Sequence, residues 1–145
     1  MGYAVIVVLF LLVLAGAYFV RQKAGAARAR LEDALGRLDV LRQEKATCHG
    51  IASKGEGQAR ALGVLALTPD ELVFLEFVTE GELRVPRAAI TAVEVTRGFL
   101  GKVFNADVLV VRWTSDDRTS DDEADGAAFE VAEVEEWRSA LQPTA

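Results

Sequence analysis

The chain has 145 residues, a formal net charge of −6 and 51% hydrophobic residues, which leaves room for one folded domain beside any membrane anchor. Residues 46–145 carry nine basic and eighteen acidic residues, a net charge of −9, and a domain this acidic repels nucleic acid. The single cysteine, Cys48, excludes an internal disulfide and fits a reducing compartment. The composition therefore disfavours a nucleic-acid-binding protein and a disulfide-stabilised secreted domain.

Residues 3–20, YAVIVVLFLLVLAGAYFV, contain no charged side chain. As a helix this segment reaches about 27 Å, close to the hydrocarbon thickness of a bilayer. Tyr3 and Tyr18 lie near its two ends, where amphipathic rings favour the headgroup region. The segment predicts one transmembrane helix with a tyrosine at each membrane interface.

Four basic residues follow this segment without an acidic residue among them: Arg21, Lys23, Arg28 and Arg30. The positive-inside rule then places the C-terminal domain in the cytoplasm, as a single-pass protein of the inner or plasma membrane. The alternative is a cleaved secretory signal, since residues 15–17 (Ala-Gly-Ala) fit a small-residue cleavage site. Against a signal, no basic residue precedes the apolar segment, and the basic residues lie on the side that would be translocated.

Residues 21–45 predict a basic juxtamembrane helical stalk, because they are rich in Ala, Leu, Arg and Glu and lack proline. Leu31, Leu35 and Leu38 recur at spacings of four and three residues, which forms an apolar stripe. This stripe either leans on the chain's own domain or pairs with a second copy as a short coiled coil. A homo-oligomer is therefore one alternative.

From residue 46 the hydrophobic pattern alternates, and turn residues separate the apolar runs, which is typical of an antiparallel sheet. The predicted strands are 46–52, 60–67, 71–78, 81–86, 90–97, 106–114 and 127–131. A helix is predicted from Val131 to Gln142, with Val134, Trp137 and Leu141 on one face. We expect Trp137 to plug an open end of the sheet.

The order of these segments resembles a known superfold. The stretches that carry the resemblance are GVLALTPDELVFLEF (63–77), ELRVPRAAITAVEV (82–95), RGFLGK (97–102), LVVRW (109–113) and EEWRSAL (135–141). They look like the pleckstrin-homology (PH) and GRAM-like superfold, and in particular like bacterial membrane-anchored PH-like domains. The resemblance implies a mainly β fold over residues 46–142, a seven-stranded antiparallel barrel capped by a C-terminal α-helix. It also implies a binding or scaffold module without catalysis.

The resemblance also suggests binding of lipid headgroups through basic residues. Lys54 and Arg60 flank the first predicted hairpin, but Glu56 lies between them and Arg60 lacks a basic residue two positions later. Arg97 and Lys102 border the apolar pair Phe99 and Leu100 at a predicted loop tip. Either this tip reaches a membrane interface or a partner's pocket, or Phe99 folds back onto the barrel.

No motif predicts an enzyme, a cofactor or a metal. Cys48 and His49 are adjacent in a predicted strand, so their side chains point to opposite faces and cannot act on one substrate. The acidic loop, residues 115–126, partly imitates a calcium loop, yet Ala132 stands where the bidentate glutamate is needed. The sequence predicts a module that binds a protein partner, with lipid sensing or pure self-association through anchor and stalk as alternatives.

Overall fold

The computed structural model describes residues 2–79, 81–114 and 124–142, and the chain divides into two compact units, residues 1–37 and 38–145. The first unit is one helix, α1, Gly2–Gly36. An 18-residue window of α1 is strongly apolar and no part of it is buried. Phe10 and Leu12, for example, are each 64% exposed. The helix is long and apolar enough to span a membrane.

The second unit is a seven-stranded curled sheet followed by a short helix. The elements are β1 Arg42–Ile51, β2 Ala61–Leu67, β3 Glu71–Glu76, β4 Glu82–Pro86, β5 Ile90–Phe99, β6 Lys102–Trp113, β7 Asp125–Glu130 and α2 Val134–Leu141. Neighbouring strands are antiparallel, in the order β4-β3-β2-β1-β7-β6-β5. The first and last strands are therefore neighbours near the middle of the sheet. This architecture confirms the predicted mainly β class with seven strands and a C-terminal helix.

The predicted helical stalk is too long. Helix α1 ends at Gly36, and β1 already begins at Arg42, within the segment predicted as helix. Residues 42–45 alternate between half-buried and exposed positions, and they pair with β2 from Arg42↔Leu67 onward. Pairing in the sheet overrides the helix propensity of Arg, Gln, Glu and Lys at these positions.

The main core lies on the inner face of the sheet. It joins residues from all seven strands to α2, which packs against β5 and β6. Trp137 is fully buried and Leu141 is 3% exposed, while Val134 is half-buried against the same core. The predicted apolar face of the C-terminal helix and the insertion of Trp137 are both confirmed.

A second, smaller cluster lies on the outer face of the sheet. Its buried members are Phe99, Val108, Val110 and Ala128, and Ala52, Leu100 and Phe104 pack around them. Leu109 and Val111 belong to the main core, and alternate residues of a strand point to opposite faces. Val108 and Val110 therefore face away from the main core, and the end of the β5–β6 hairpin helps to cover them.

Gly63 in β2 marks a close approach between neighbouring strands. A Cβ atom at this position would lie 2.1 Å from the carbonyl oxygen of Leu75 and 2.8 Å from the ring of Phe74. No flexible side chain can relieve the first contact, because the obstructing atom belongs to the backbone. Only glycine fits here.

Candidate functional site

The four basic residues proposed for lipid binding differ in whether their side chains already bond to other residues of the chain. They are Lys54, Arg60, Arg97 and Lys102. Lys54 ends a single 3-10 turn after β1, and Arg60 directly precedes β2; both are exposed. Within the described ranges of the chain, neither side chain makes a hydrogen bond or ion pair. Arg97, in contrast, pairs with Asp107 on the adjacent strand at 3.1 Å. Lys102 Nζ donates to the backbone oxygen of Gln58 at 3.0 Å. The contact brings Lys102 to the loop that carries Lys54 and Arg60, whereas Arg97 is held by an acid.

Gln58 organises this β1–β2 loop. Its Nε2 donates to the backbone oxygen of Ile51 at 2.7 Å, and its Oε1 accepts from the backbone N–H of Ile51 at 3.0 Å. Gly55 and Gly57 have φ angles of +76° and +81°, which favour glycine. The loop is thus folded onto the end of its own strand. The sequence offered no signal for Gln58, because a single glutamine after a glycine has no characteristic pattern.

The apolar tip of the β5–β6 hairpin is folded back onto the sheet. Phe99 is 8% exposed within the outer cluster, and Leu100 is half-buried. The interpretation of Phe99 as an exposed partner contact is therefore corrected, since burying its ring against Val108 and Val110 removes apolar surface from water. The alternative prediction, that Phe99 returns to the sheet, agrees with the structure.

Cys48 and His49 point to opposite faces of β1. Cys48 lies in the main core, and burial raises the pKa of its thiol. The His49 ring lies on the outer face, with its centroid 4.4 Å from that of Phe104 and its Nε2 2.9 Å from Glu130 Oε2. These two side chains form no nucleophile–base pair. Among the residues that the structure describes, no group of three or more His, Cys, Asp or Glu could hold a metal ion.

A polar network that the sequence did not indicate joins the start of β1 to the C-terminal helix. Arg42 bonds to the carboxylates of Glu133 and Glu136, and its guanidinium lies 5.4 Å from the ring centroid of Trp137. Glu44 accepts from Trp137 Nε1 at 2.7 Å and from the backbone N–H of Ala132. These contacts surround a shallow, open depression of about 560 Å³. The charged groups around this depression bond to one another or to α2. We therefore interpret it as a structural junction between β1 and α2.

This junction also changes the ionisation of its members. The hydrogen bond from Arg42 is the main cause that lowers the pKa of Glu136, and the same bond raises the pKa of Arg42. Both shifts favour the charged pair. Ionisation of Glu136 therefore strengthens its bond to Arg42.

The candidate interface residues of α1 lie along one continuous helix. Tyr3 and Tyr18 stand in the apolar part, and Tyr18 Oη accepts a hydrogen bond from Gln22 Nε2 at 2.9 Å. Arg21, Lys23, Arg28 and Arg30 follow in the next turns, and Arg28 pairs with Glu32 at 3.2 Å. The positive charge of this basic flank is thus partly balanced within the helix.

The leucine stripe is shorter than the sequence predicted. Leu31 and Leu35 lie in α1, whereas Leu38 lies beyond its last residue, Gly36. The predicted run of three leucines on one helical face is therefore not formed. Of the acidic loop, residues 115–123 lie outside the described residues, and Asp125 begins β7 instead of closing a loop.

Comparisons with known proteins give a structural likeness but no related sequence. No protein-family model matches the sequence, and no curated protein matches it. The crystal structure of the C-terminal domain of an unknown protein from Leishmania infantum is similar with a TM-score of 0.48 and 19% sequence identity. The alignment covers 81% of this chain and 92% of that one. Any function must therefore be argued from the residues of this chain.

Proposed function

We propose that this chain is a single-pass membrane protein whose folded unit is a PH-like binding or scaffold module. The observation that carries the proposal is the apolar, unburied part of α1, since leaving such a surface in water is costly and a bilayer would cover it. The basic flank that follows favours a cytoplasmic location for residues 38–145. The seven strands and the C-terminal helix that plugs the core are compatible with a PH-like barrel.

Membrane topology is tested with a membrane-impermeant maleimide in intact cells. Cys48 is buried, so the reporter is an exposed cysteine introduced by Ala88→Cys in the turn between β4 and β5. We expect labelling of Ala88→Cys only after the cells are permeabilised, and no labelling of the unmodified chain as control. Labelling in intact cells, or a mature chain that lacks residues 3–20, would contradict the anchored cytoplasmic form.

A protein partner is favoured by an exposed apolar patch beside Arg60, whose side chain makes no ion pair with any residue that the structure describes. Val78 is 90% exposed and Leu62 is 56% exposed. The backbone N–H of Phe77 donates to the carbonyl oxygen of Leu62 at 2.9 Å, which places Val78 near Leu62, and Arg60 lies two residues before Leu62. Exposed aliphatic side chains with a neighbouring arginine are typical of protein interfaces. This patch, Arg60, Leu62 and Val78, is our candidate partner surface.

The partner surface is tested by photo-crosslinking in the membrane-embedded protein. A photoreactive residue at position 78 should form a covalent adduct with a protein, and Arg60→Glu should weaken that adduct. The matched control is the same residue at Thr91, an exposed position in the edge strand β5. Equal adducts at both positions, or none at position 78, would count against the proposed surface.

Lipid sensing is the second candidate, because Lys54 and Arg60 lie exposed on one loop. One observation weighs against it: residues 46–145 carry a net charge of −9, which repels anionic headgroups. Binding of residues 38–145 to anionic vesicles, weakened by salt and by Lys54→Glu, would favour lipid sensing over a protein partner.

Self-association through α1 is a third candidate, supported by Leu31 and Leu35 one helical turn apart. Crosslinking of the full-length protein compares the native chain with Leu35→Asp. Leu38→Asp serves as control, since Leu38 lies outside the helix. A dimer yield that neither change alters would exclude the stripe.

A further inference from the structure

The β5–β6 hairpin extends beyond the strand that supports it. Pairing of β6 with β7 covers Leu109 to Trp113, whereas pairing of β6 with β5 continues as far as Lys102. We call residues 97–107, the part beyond β7, the strap. A two-stranded ribbon is at best marginally stable by itself. The closed position of the strap therefore depends on its contacts with the rest of the domain.

The apolar contacts of the strap belong to the small outer cluster. Phe99 is buried there against Val108, Val110 and Ala128, and Leu100 and Phe104 lie at its margin. The main core contains four times as many buried residues and lies on the other face of the sheet. Loss of the outer contacts would thus leave the main core intact.

The tip of the strap is a tight turn with an unfavourable residue. Leu100 and Gly101 have φ angles of +49° and +74°, the pattern of a two-residue hairpin turn that favours Asn-Gly. A leucine rarely adopts this left-handed conformation. The side chain of Leu100 is accommodated at Gly50, where a Cβ atom would lie 3.3 Å from Leu100 Cδ1. Packing against Gly50 therefore offsets the unfavourable backbone of the turn.

Among the described parts of the chain, one side-chain hydrogen bond ties the strap to the β1–β2 loop, from Lys102 Nζ to the backbone oxygen of Gln58 at 3.0 Å. The ion pair of Arg97 with Asp107 lies within the strap itself and would persist if the strap moved as a unit. The ring of Phe104, within the strap, packs over the ring of His49 in β1, with 4.4 Å between the ring centroids. The strap thus combines internal bonds with few attachments to the sheet.

We propose that the strap is a lid that opens as a unit while the seven-stranded sheet stays folded. The structure shows the closed state, in which the contact of Leu100 with Gly50 acts as the latch. Opening would expose Phe99 and Leu100 between Arg97 and Lys102, together with the outer face of β6. This inference concerns the folded unit and does not depend on whether α1 spans a membrane.

Hydrogen exchange of the full-length protein in detergent micelles tests the lid. Strap amides, at Gly98 and Val103, should exchange at least about a hundredfold faster than those of Leu109 and Val111 in the same strand pair. Leu100→Ala keeps the unfavourable backbone but removes most of the latch, so exchange in the strap should rise about tenfold further. The matched control is Val103→Ala, since Val103 is 86% exposed and should change nothing.

Each outcome of this experiment decides the question. Faster exchange confined to the strap, enhanced by Leu100→Ala alone, supports the lid. Equal rates in the strap and in the main core of the native protein would overturn it. An equal increase in both regions for Leu100→Ala would also overturn it, because the strap would then open only by global unfolding.

Discussion

Removal of the Glu44 carboxylate should destabilise the folded unit, although Glu44 is only half-buried. Glu44 Oε2 accepts the indole N–H of Trp137 at 2.7 Å, and Trp137 is fully buried. In Glu44→Ala that donor loses its partner inside the protein, which costs about 1–3 kcal/mol. The second bond, from the N–H of Ala132, lies at an exposed residue, so water replaces Glu44 there at little cost. We expect a net loss of about 2 kcal/mol.

Thermal unfolding of the full-length protein in micelles, followed by tryptophan fluorescence, measures this loss. About 2 kcal/mol corresponds to a fall in Tm of roughly 8 °C for a unit of about a hundred residues. The control is Glu135→Ala on the same helix, where an exposed pair with Arg138 at 3.3 Å is broken. That change should cost about 0.5 kcal/mol or less.

A double-mutant cycle assigns the loss to the Glu44–Trp137 bond. Trp137→Phe removes the indole N–H while keeping an aromatic ring in the core. In that background Glu44→Ala should cost at least about 1 kcal/mol less than in the native chain. The same cost in both backgrounds, or a Glu44→Ala variant as stable as the native protein, would refute the reasoning.

Three further predictions concern other parts of the folded unit. The pKa of Glu136 is lowered in the folded state, so its pairing with Arg42 stabilises the fold above the ordinary carboxyl value of 4.5 and is lost as the pH falls through the lowered value. The urea midpoint should therefore fall more between pH 7 and pH 3 in the native protein than in Arg42→Gln; parallel curves would contradict this. Cys48 is buried and its pKa is raised, so at pH 8 a thiol reagent should modify it only after denaturation, and rapid modification of the folded protein would argue against its placement. Gly63→Ala should destabilise by about 3 kcal/mol or more, because the added Cβ would lie 2.1 Å from a backbone oxygen, whereas Gly98→Ala meets nothing closer than 3.6 Å. Urea unfolding compares the two, and similar midpoints would disprove the close approach at Gly63.

The strands were predictable where the local sequence preference for a strand agrees with the pairing that the sheet imposes. Strands β2 and β3 are short apolar runs, and β2 to β4 are each bounded by turn residues, so their predicted limits fall within two residues of the observed ones. The start of β1 was missed because Arg-Gln-Glu-Lys favours a helix locally, and only pairing with β2 makes it a strand. Trp137 was predictable because its neighbours at helical spacing are apolar.

The candidate sites were less predictable, because their contacts join distant parts of the chain. Glu44 and Trp137 are 93 residues apart, and nothing near either one indicates the other. Phe99 has the sequence environment of an exposed tip, with glycines and basic residues around it. Its burial follows from Val108, Val110 and Ala128 on the outer face, a surface that exists only once the sheet is assembled.

The adjacency of β1 and β7 has a consequence for biosynthesis. Thr47 lies opposite Glu130, so the strand made first must wait for roughly eighty more residues before its second neighbour leaves the ribosome. During that interval β1 to β4 can already pair with one another. The backbone groups along the β7-facing edge of β1 stay unpaired, and they can bond to another chain. Chains that terminate prematurely, before Asp125, would keep that edge uncovered permanently and should be prone to aggregation.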